Sequence, residues 1–373
     1  SVVKSVLDFV LGDMTAALML EPEVALQAQC TRAIGQAIGA CGGGCLSGEQ
    51  LAELAKALQQ LMDDSDSRVE SIVEQHLEDD EDDEEEDVSD EALESEDDLI
   101  EQIIFAIGKV LQADPEAFSP HFDGLLRWFI DKLEPSEERV LASFHQRLGL
   151  AMIDDVVEIA GAGSHKYIAE FMPHMLRYSR SETSEEVRQA ALYGVGLCAE
   201  HGGPAFTPFV AEATETLLQA LRNRDARDDD RESATDNAAA SLGKIAQFHQ
   251  VARPEEVWGA WLAYLPLQAD VAESVLVTKQ LCGLVRGNHP QALGDANANL
   301  PRIVAIFAQV LETDCVDDDC TARIKEMLEA MQQAAPAQLQ TACRSLPADA
   351  LQKLERCIAG TPRPAAVQDA TRL

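Results

Sequence analysis

Apolar helical stripes that return at nearly constant spacing constrain this chain more than any other feature. In Ser184 to Cys198 the residues Val187, Ala190, Ala191, Gly194, Val195 and Cys198 recur at three- and four-residue steps, a narrow face of small groups that another helix can approach closely. Ser184 stands at the N-cap position, and Glu185 and Glu186 fall in the first turn, where acids complement the helix dipole. Related stripes occur in Gln27 to Gly35, Ile100 to Gly108, Leu141 to Gly149, Thr235 to Gly243 and around Gly283. Glycines 108, 149, 196, 243 and 283 are separated by 41, 47, 47 and 40 residues, the period of helix-pair repeats of the HEAT or armadillo kind. A helix pair cannot bury its apolar face alone, so such units stack into a solenoid. The expected class is therefore all-α, an α-α superhelix of HEAT repeats.

Taken in order, the repeats predict helices over Val2 to Leu20, Val24 to Ala40 and Leu51 to Leu77, with Pro22 in the first turn and Gly42-Gly43-Gly44 ending the second helix. After an interruption the pattern resumes at Leu99 to Leu111 and continues with Phe118 to Leu133, Val140 to Ile159, Ile168 to Tyr178 and Val187 to Cys198. Further helices are expected over Phe206 to Leu221, Ala238 to Phe248, Val271 to Val285, Leu300 to Leu311, Ala322 to Met331 and Leu346 to Ile358. Trp258, Trp261 and Tyr264 stand three residues apart on a short helix ended by Pro266, a spacing that belongs to a core more often than to a peptide site. The organisation expected is 1–77 HEAT repeats, 78–98 an acidic insertion, 99–360 HEAT repeats and 361–373 a tail that frays.

The interruption holds sixteen acids between Glu78 and Asp98, ten of them consecutive, and no Lys or Arg. Like-charge repulsion and few apolar groups predict a solvated loop, with Asp82, Asp83, Glu84 and Glu85 as candidates for holding basic segments. Taking those sixteen from the net charge of −37 still leaves −21. Such a field repels nucleic acid and anionic membranes and attracts basic proteins. Asp154, Asp155 and Glu158 cluster on one helix, and with Glu185 and Glu186 they are the remaining candidate protein-binding residues.

No bond-making chemistry is legible. The paired carboxylates have no nucleophile or His at a compatible spacing, and no nucleophile elbow, dinucleotide fingerprint or phosphate loop occurs. Cys41-x3-Cys45 and Cys315-x4-Cys320 lack the second pair that a zinc site needs. Neither an enzyme nor a cofactor is expected. Nine scattered Cys suggest a reducing compartment, and no run approaches the about 20 apolar residues that span a bilayer. The start at Ser1-Val2-Val3, inside an apolar pattern and without Met, reads as a piece of a longer solenoid.

Five segments stand in an order that resembles one family: Ile153-Asp154-Asp155-Val156-Val157-Glu158, Val187-Arg188-Gln189-Ala190-Ala191-Leu192-Tyr193-Gly194, Trp261 to Leu267, Asn288-His289-Pro290 and Asn299-Leu300-Pro301-Arg302-Ile303. From about residue 99 to 312 they resemble the C-terminal part of the importin-beta, or karyopherin-beta, superfamily, and most closely its importin five branch. The resemblance implies a receptor that shuttles between cytoplasm and nucleus. Inner helices would receive basic cargo with nuclear localisation signals, outer helices would admit Phe-Gly nucleoporins, and Ran-GTP would release the cargo. The family's main Ran-binding repeats lie nearer the N-terminus than the region matched here, so Ran contact would fall mainly elsewhere. The alternative is a HEAT scaffold, or an acidic chaperone of basic proteins, that Ran does not regulate.

Overall fold

The computed structural model describes residues 2–78, 83–134, 142–180, 184–228 and 231–361, and among these every regular element is helical. The α-helices are α1 (Val2–Leu20), α2 (Val24–Cys41), α3 (Gly48–Glu78), α4 (Asp83–Ala113), α5 (Pro115–Leu133), α6 (Ala142–Ala160), α7 (Ile168–Tyr178), α8 (Glu185–His201) and α9 (Val210–Arg222). They continue as α10 (Glu232–Phe248), α11 (Pro254–Tyr264), α12 (Val271–Arg286), α13 (Pro290–Leu293), α14 (Leu300–Val310), α15 (Asp318–Ala334), α16 (Pro336–Arg344) and α17 (Ala348–Ala359). Two compact units, Ser1–His174 and Met175–Leu373, divide the chain inside α7.

In the first unit α1, α3 and α5 pack side by side, α2, α4 and α6 form a second row, and the hairpin partners α1/α2, α3/α4 and α5/α6 close the rows on each other. The second unit repeats this plan. There α8, α10, α12 and α15 follow one another in one row, opposite α9, α11 and α14, while α16 and α17 cover α14. Each unit is thus a stack of HEAT-type helix pairs. The core is aliphatic with a few large aromatics, among them Phe118, Phe122, Phe129, Trp258 and Trp261, each at most 1% exposed. A fully buried side chain of this size stabilises by roughly 2–3 kcal/mol.

The repeating glycines set the spacing of most of these pairs. A Cβ on Gly35 would stand 3.0 Å from Ala106 Cα on α4, one on Gly149 2.9 Å from Leu133 Cδ2 on α5, and one on Gly196 2.9 Å from Ser241 Cβ on α10. On Gly243 it would lie 2.8 Å from Trp261 Cε2. Gly283, in the same sequence register, is different: it is exposed and nothing lies within 4 Å of the position a Cβ would take. It faces solvent, while α10 and α12 are joined through Lys244 Nζ to Glu273 Oε1 at 3.2 Å and Gln280 Nε2 to Gln247 Oε1 at 2.7 Å.

Local chemistry explains the element ends. Ser184 Oγ accepts from the Val187 N–H at 3.3 Å as an N-cap should. The helix expected from Phe206 begins instead as a 3-10 segment over Gly203–Phe209, where Pro204 suits the first turn but Pro208 lacks the N–H that an α-helix begun at Gly203 would use. Helix α10 starts at Glu232, before the expected Ala238, and its early turns carry the wholly buried Asp236. Val140, expected to open α6, and the tail beyond Thr361 lie outside the described residues.

The two glycines that share a register yet differ in surroundings give opposite expectations. Gly243→Ala should lower stability by about 1–3 kcal/mol through its clash with Trp261, whereas Gly283→Ala should raise it by roughly 0.5–1 kcal/mol through helix propensity. Thermal unfolding followed by tryptophan fluorescence measures both.

Candidate functional site

The acidic run is not a loop over its described part. Asp83 to Asp98 are the opening turns of α4, which continues unbroken to Ala113. Two features allow this: acids at a helix N-terminus are favoured by the dipole, and Leu93, Ile100, Ile103 and Ile107 recur on one face with Glu96 between them. Glu96 therefore falls on the inward side and is 2% exposed. A buried carboxylate needs donors, and α3 supplies three: Arg68 Nε to Oε1 at 2.5 Å, Arg68 Nη2 to Oε2 at 2.9 Å, and Ser65 Oγ to Oε2 at 2.6 Å.

The outward face of the same helix carries Glu91, Glu94, Asp98 and Glu101, all exposed and spaced three, four and three residues apart. At the rise of an α-helix they form a stripe about 15 Å long. Like charges at these spacings repel one another by a few tenths of a kcal/mol each. Only Glu101 meets a cation, Arg147 Nη1 of α6 at 3.4 Å, among the ion pairs resolved here. Glu91 also borders a groove of about 670 Å³ between α3, α4 and the α1–α2 turn, lined by apolar Val24, Ala25, Ile72 and Ala92, by Glu23 as a second acid, and by Arg68, whose guanidinium is held by Glu96. A groove of this kind suits a side chain with a long aliphatic stem and a cationic head.

The other acids singled out in the sequence have different settings. On α6, Asp154 is buried, Asp155 is half-buried and Glu158 is exposed. Burial, then the neighbouring Glu158, push the Asp155 carboxyl up to about 6, with Lys109 opposing. On α8, Glu186 is exposed, but Glu185 binds Arg188 on its own helix and stands 3.6 Å from Arg231 Nε. Asp154, Asp155 and Glu158 belong to the first unit, Glu185 and Glu186 to the second. Asp83, Glu84 and Glu85 lie in the first turn of α4, and Asp82 lies outside the described residues.

Charge density hides the α4 stripe in the sequence; the spacing of 91, 94, 98 and 101 against Ile100, Ile103 and Ile107 is the signal that reveals it. Much of the chain's positive charge is spent internally, as in Lys132 with Asp66, Lys244 with Glu200 and Glu273, and Lys279 with Asp317, which leaves the acidic excess outward. Among the described residues no group of three or more His, Cys, Asp or Glu could hold a metal ion. None of the described helices is long and apolar enough to cross a membrane. The arrangement offers recognition by charge and shape.

Known proteins share stretches of this sequence and its helical-repeat plan. Residues 26–135 match the family model for importin repeat 6, and residues 91–239 match the TPR repeats of importin subunit beta-1-like proteins. The chain is 27% identical over 240 residues to a probable importin-5 homolog of Dictyostelium discoideum, covering 62% of this chain and 22% of that protein. It is 27% identical over 245 residues to human importin-4, covering 65% and 21%. The chain thus spans about a fifth of the length of these relatives. A crystal structure of a Kap121p mutant superposes with a TM-score of 0.71 at 19% identity, covering 95% of this chain and 30% of that one. Kap121p bound to RanGTP superposes with a TM-score of 0.70, and Kap121p bound to Nup53p with 0.69.

The Asp155 environment has a consequence for pH. Its folded-state pKa of about 6 lies above the ordinary 3.8, so the folded chain holds the extra proton between these values. The stability this contributes is complete below about pH 4 and is lost as pH rises through 6. Asp155→Asn should therefore leave stability unchanged near pH 4 and raise it at pH 7 by on the order of 1–3 kcal/mol, read from thermal melts across that range.

Proposed function

Because the chain belongs to the importin-beta superfamily, we propose that it forms part of a nuclear import receptor and engages basic segments of cargo along the acid stripe of α4. The observation that carries this reading is the exposed series Glu91, Glu94, Asp98 and Glu101 beside a groove lined in part by apolar side chains, in a chain of net charge −37. The superfamily consists of transport receptors, so the work done is binding and release. An exposed ion pair contributes about 0.2–1 kcal/mol, and four together supply capture and steering more than tight retention. Aliphatic stems buried in the groove would add the remainder.

Relatives supply the surrounding steps of the proposal. Kap121p has been crystallised with RanGTP and with Nup53p. By analogy, the complete receptor would release its cargo to Ran-GTP, pass the pore on Phe-Gly nucleoporins and shuttle between cytoplasm and nucleus. The acidic excess also favours a second reading, an acidic chaperone that shields basic proteins without Ran control. Addition of Ran-GTP to the full-length receptor with bound basic peptide separates the two: release supports transport, and retention supports the chaperone.

Charge-neutral substitution tests the stripe better than deletion of 78–98, which would remove the opening of α4 together with buried Glu96. The quadruple variant Glu91→Gln, Glu94→Gln, Asp98→Asn and Glu101→Gln should bind a lysine- and arginine-rich peptide roughly tenfold more weakly at low salt. It should also show a shallower dependence on salt than the parent chain. Fluorescence anisotropy of the labelled peptide reads both, and equal affinity in the two proteins would remove the stripe from the mechanism.

A further inference from the structure

Within the second unit a cavity of about 160 Å³ opens between α8, α9 and the start of α10. Its described wall inverts the composition of the chain. Arg180 follows α7, Arg188 lies on α8 and Arg231 is the N-cap residue of α10, and all three line the cavity with Thr216, Gln219 and Asn223, while no Asp or Glu is among the described lining residues. A sequence with 29 bases and 66 acids has thus brought three guanidinium-bearing residues from three elements to one small space.

Among the described residues, Glu185 and Glu212 meet these arginines from outside that wall. Glu185 pairs with Arg188 and lies 3.6 Å from Arg231, and Glu212 accepts from Arg180 Nη2 at 3.0 Å. Glu185 thus meets two of the guanidinium groups and Glu212 the third. The hydrogen bonds of Arg180, to Glu212 and Thr216, both run through Nη2, and that of Arg188 to Glu185 also uses Nη2. Each guanidinium has five N–H donors, so most of the donor capacity of these two remains for something else.

We propose that this cavity binds a phosphoryl group carried on a partner peptide. A planar carboxylate is matched by the fork of one arginine, whereas a tetrahedral oxyanion with several free oxygens uses donors arriving from separate directions, as they do here. The volume suits the group. It holds about five waters at roughly 30 Å³ each and lies below the roughly 300 Å³ at which pockets for nucleotide-sized molecules begin. The peptide carrier follows from charge: an overall −37 repels a free phosphate dianion, while Lys or Arg flanking a phosphorylated Ser or Thr would be drawn to the same surface.

The test compares a lysine-flanked phosphoserine peptide with its unphosphorylated form on the intact chain, by anisotropy, with inorganic phosphate as competitor. Phosphorylation should tighten binding by roughly tenfold, and inorganic phosphate should compete only at far higher concentration than the phosphopeptide. Arg188→Gln should erase the difference, and so should Arg180→Gln, whose side chain is 47% exposed and so can be replaced without disturbing the fold. No preference for the phosphopeptide in the parent chain would overturn the proposal, as would a preference that survives both substitutions in proteins with unchanged melts. Competition by inorganic phosphate at equal concentration would also overturn it, since the peptide would then contribute nothing.

Discussion

Close approach of helices at residues without side chains is the contact on which each unit depends. Gly35 lets α2 settle against Ala106, Gly149 lets α6 settle against Leu133, and Gly196 lets α8 reach Ser241, whose Oγ donates to the Leu192 carbonyl at 2.7 Å. Dispersion weakens within an ångström of separation, so backbones brought this near gain contacts along the whole length of the crossing. The burial of Leu192, Val195 and Cys198 around Gly196 follows from that distance. Where the approach is absent, at Gly283, polar pairs between α10 and α12 take over the join.

A second set of interactions fixes the connection from α11 to α12. Asp236 Oδ2 accepts from the backbone N–H groups of Gln268, Ala269 and Asp270 at 2.7, 2.7 and 3.1 Å, while Oδ1 accepts from Arg227 Nη1 at 2.9 Å. From the other side Arg302 donates to the carbonyls of Leu262 and Ala263 at 2.9 and 3.0 Å, and also to that of Leu265. Backbone groups that neither helix satisfies are thereby paired. His289 caps α13 by accepting from the Ala292 N–H, and Asn299 donates to the Ala292 carbonyl at 3.0 Å. Several residues that carry the family resemblance, Trp261, His289, Asn299 and Arg302, thus act in packing and capping. That explains how the likeness can reveal a fold while leaving cargo unspecified.

Periodicity made most of this architecture legible in the sequence. The limits of α1 and α7 and the buried Trp258 and Trp261 follow from apolar spacing alone. Helix α4 did not, because ten consecutive acids look like solvated coil until the inward series through Leu93, Glu96 and Ile100 is followed. Helix α16 was hidden for the opposite reason: only Leu339 and Ala342 of its nine residues are buried, too few to mark a period. The acids of α6 show what composition alone omits. Adjacent Asp154 and Asp155 point in different directions and are buried and half-buried, while Glu158, one turn beyond Asp154 on the same face, is exposed. The arginine-lined cavity had no sequence signature at all, since residues 180, 188 and 231 meet only through the packing of α8, α9 and α10.

Fold and surface chemistry are therefore linked through helix spacing: the same packing that buries the apolar faces aligns the α4 acids and gathers the three arginines. The direct test is a double-mutant cycle at the tightest α8/α10 contact, with stability measured for Gly196→Ala, Ser241→Gly and the pair. If backbone approach governs the stack, Ser241→Gly should make room for the added methyl, and the pair should be more stable than the sum of the singles by about 1–2 kcal/mol. Single-mutant effects that add to within about 0.5 kcal/mol would contradict the account.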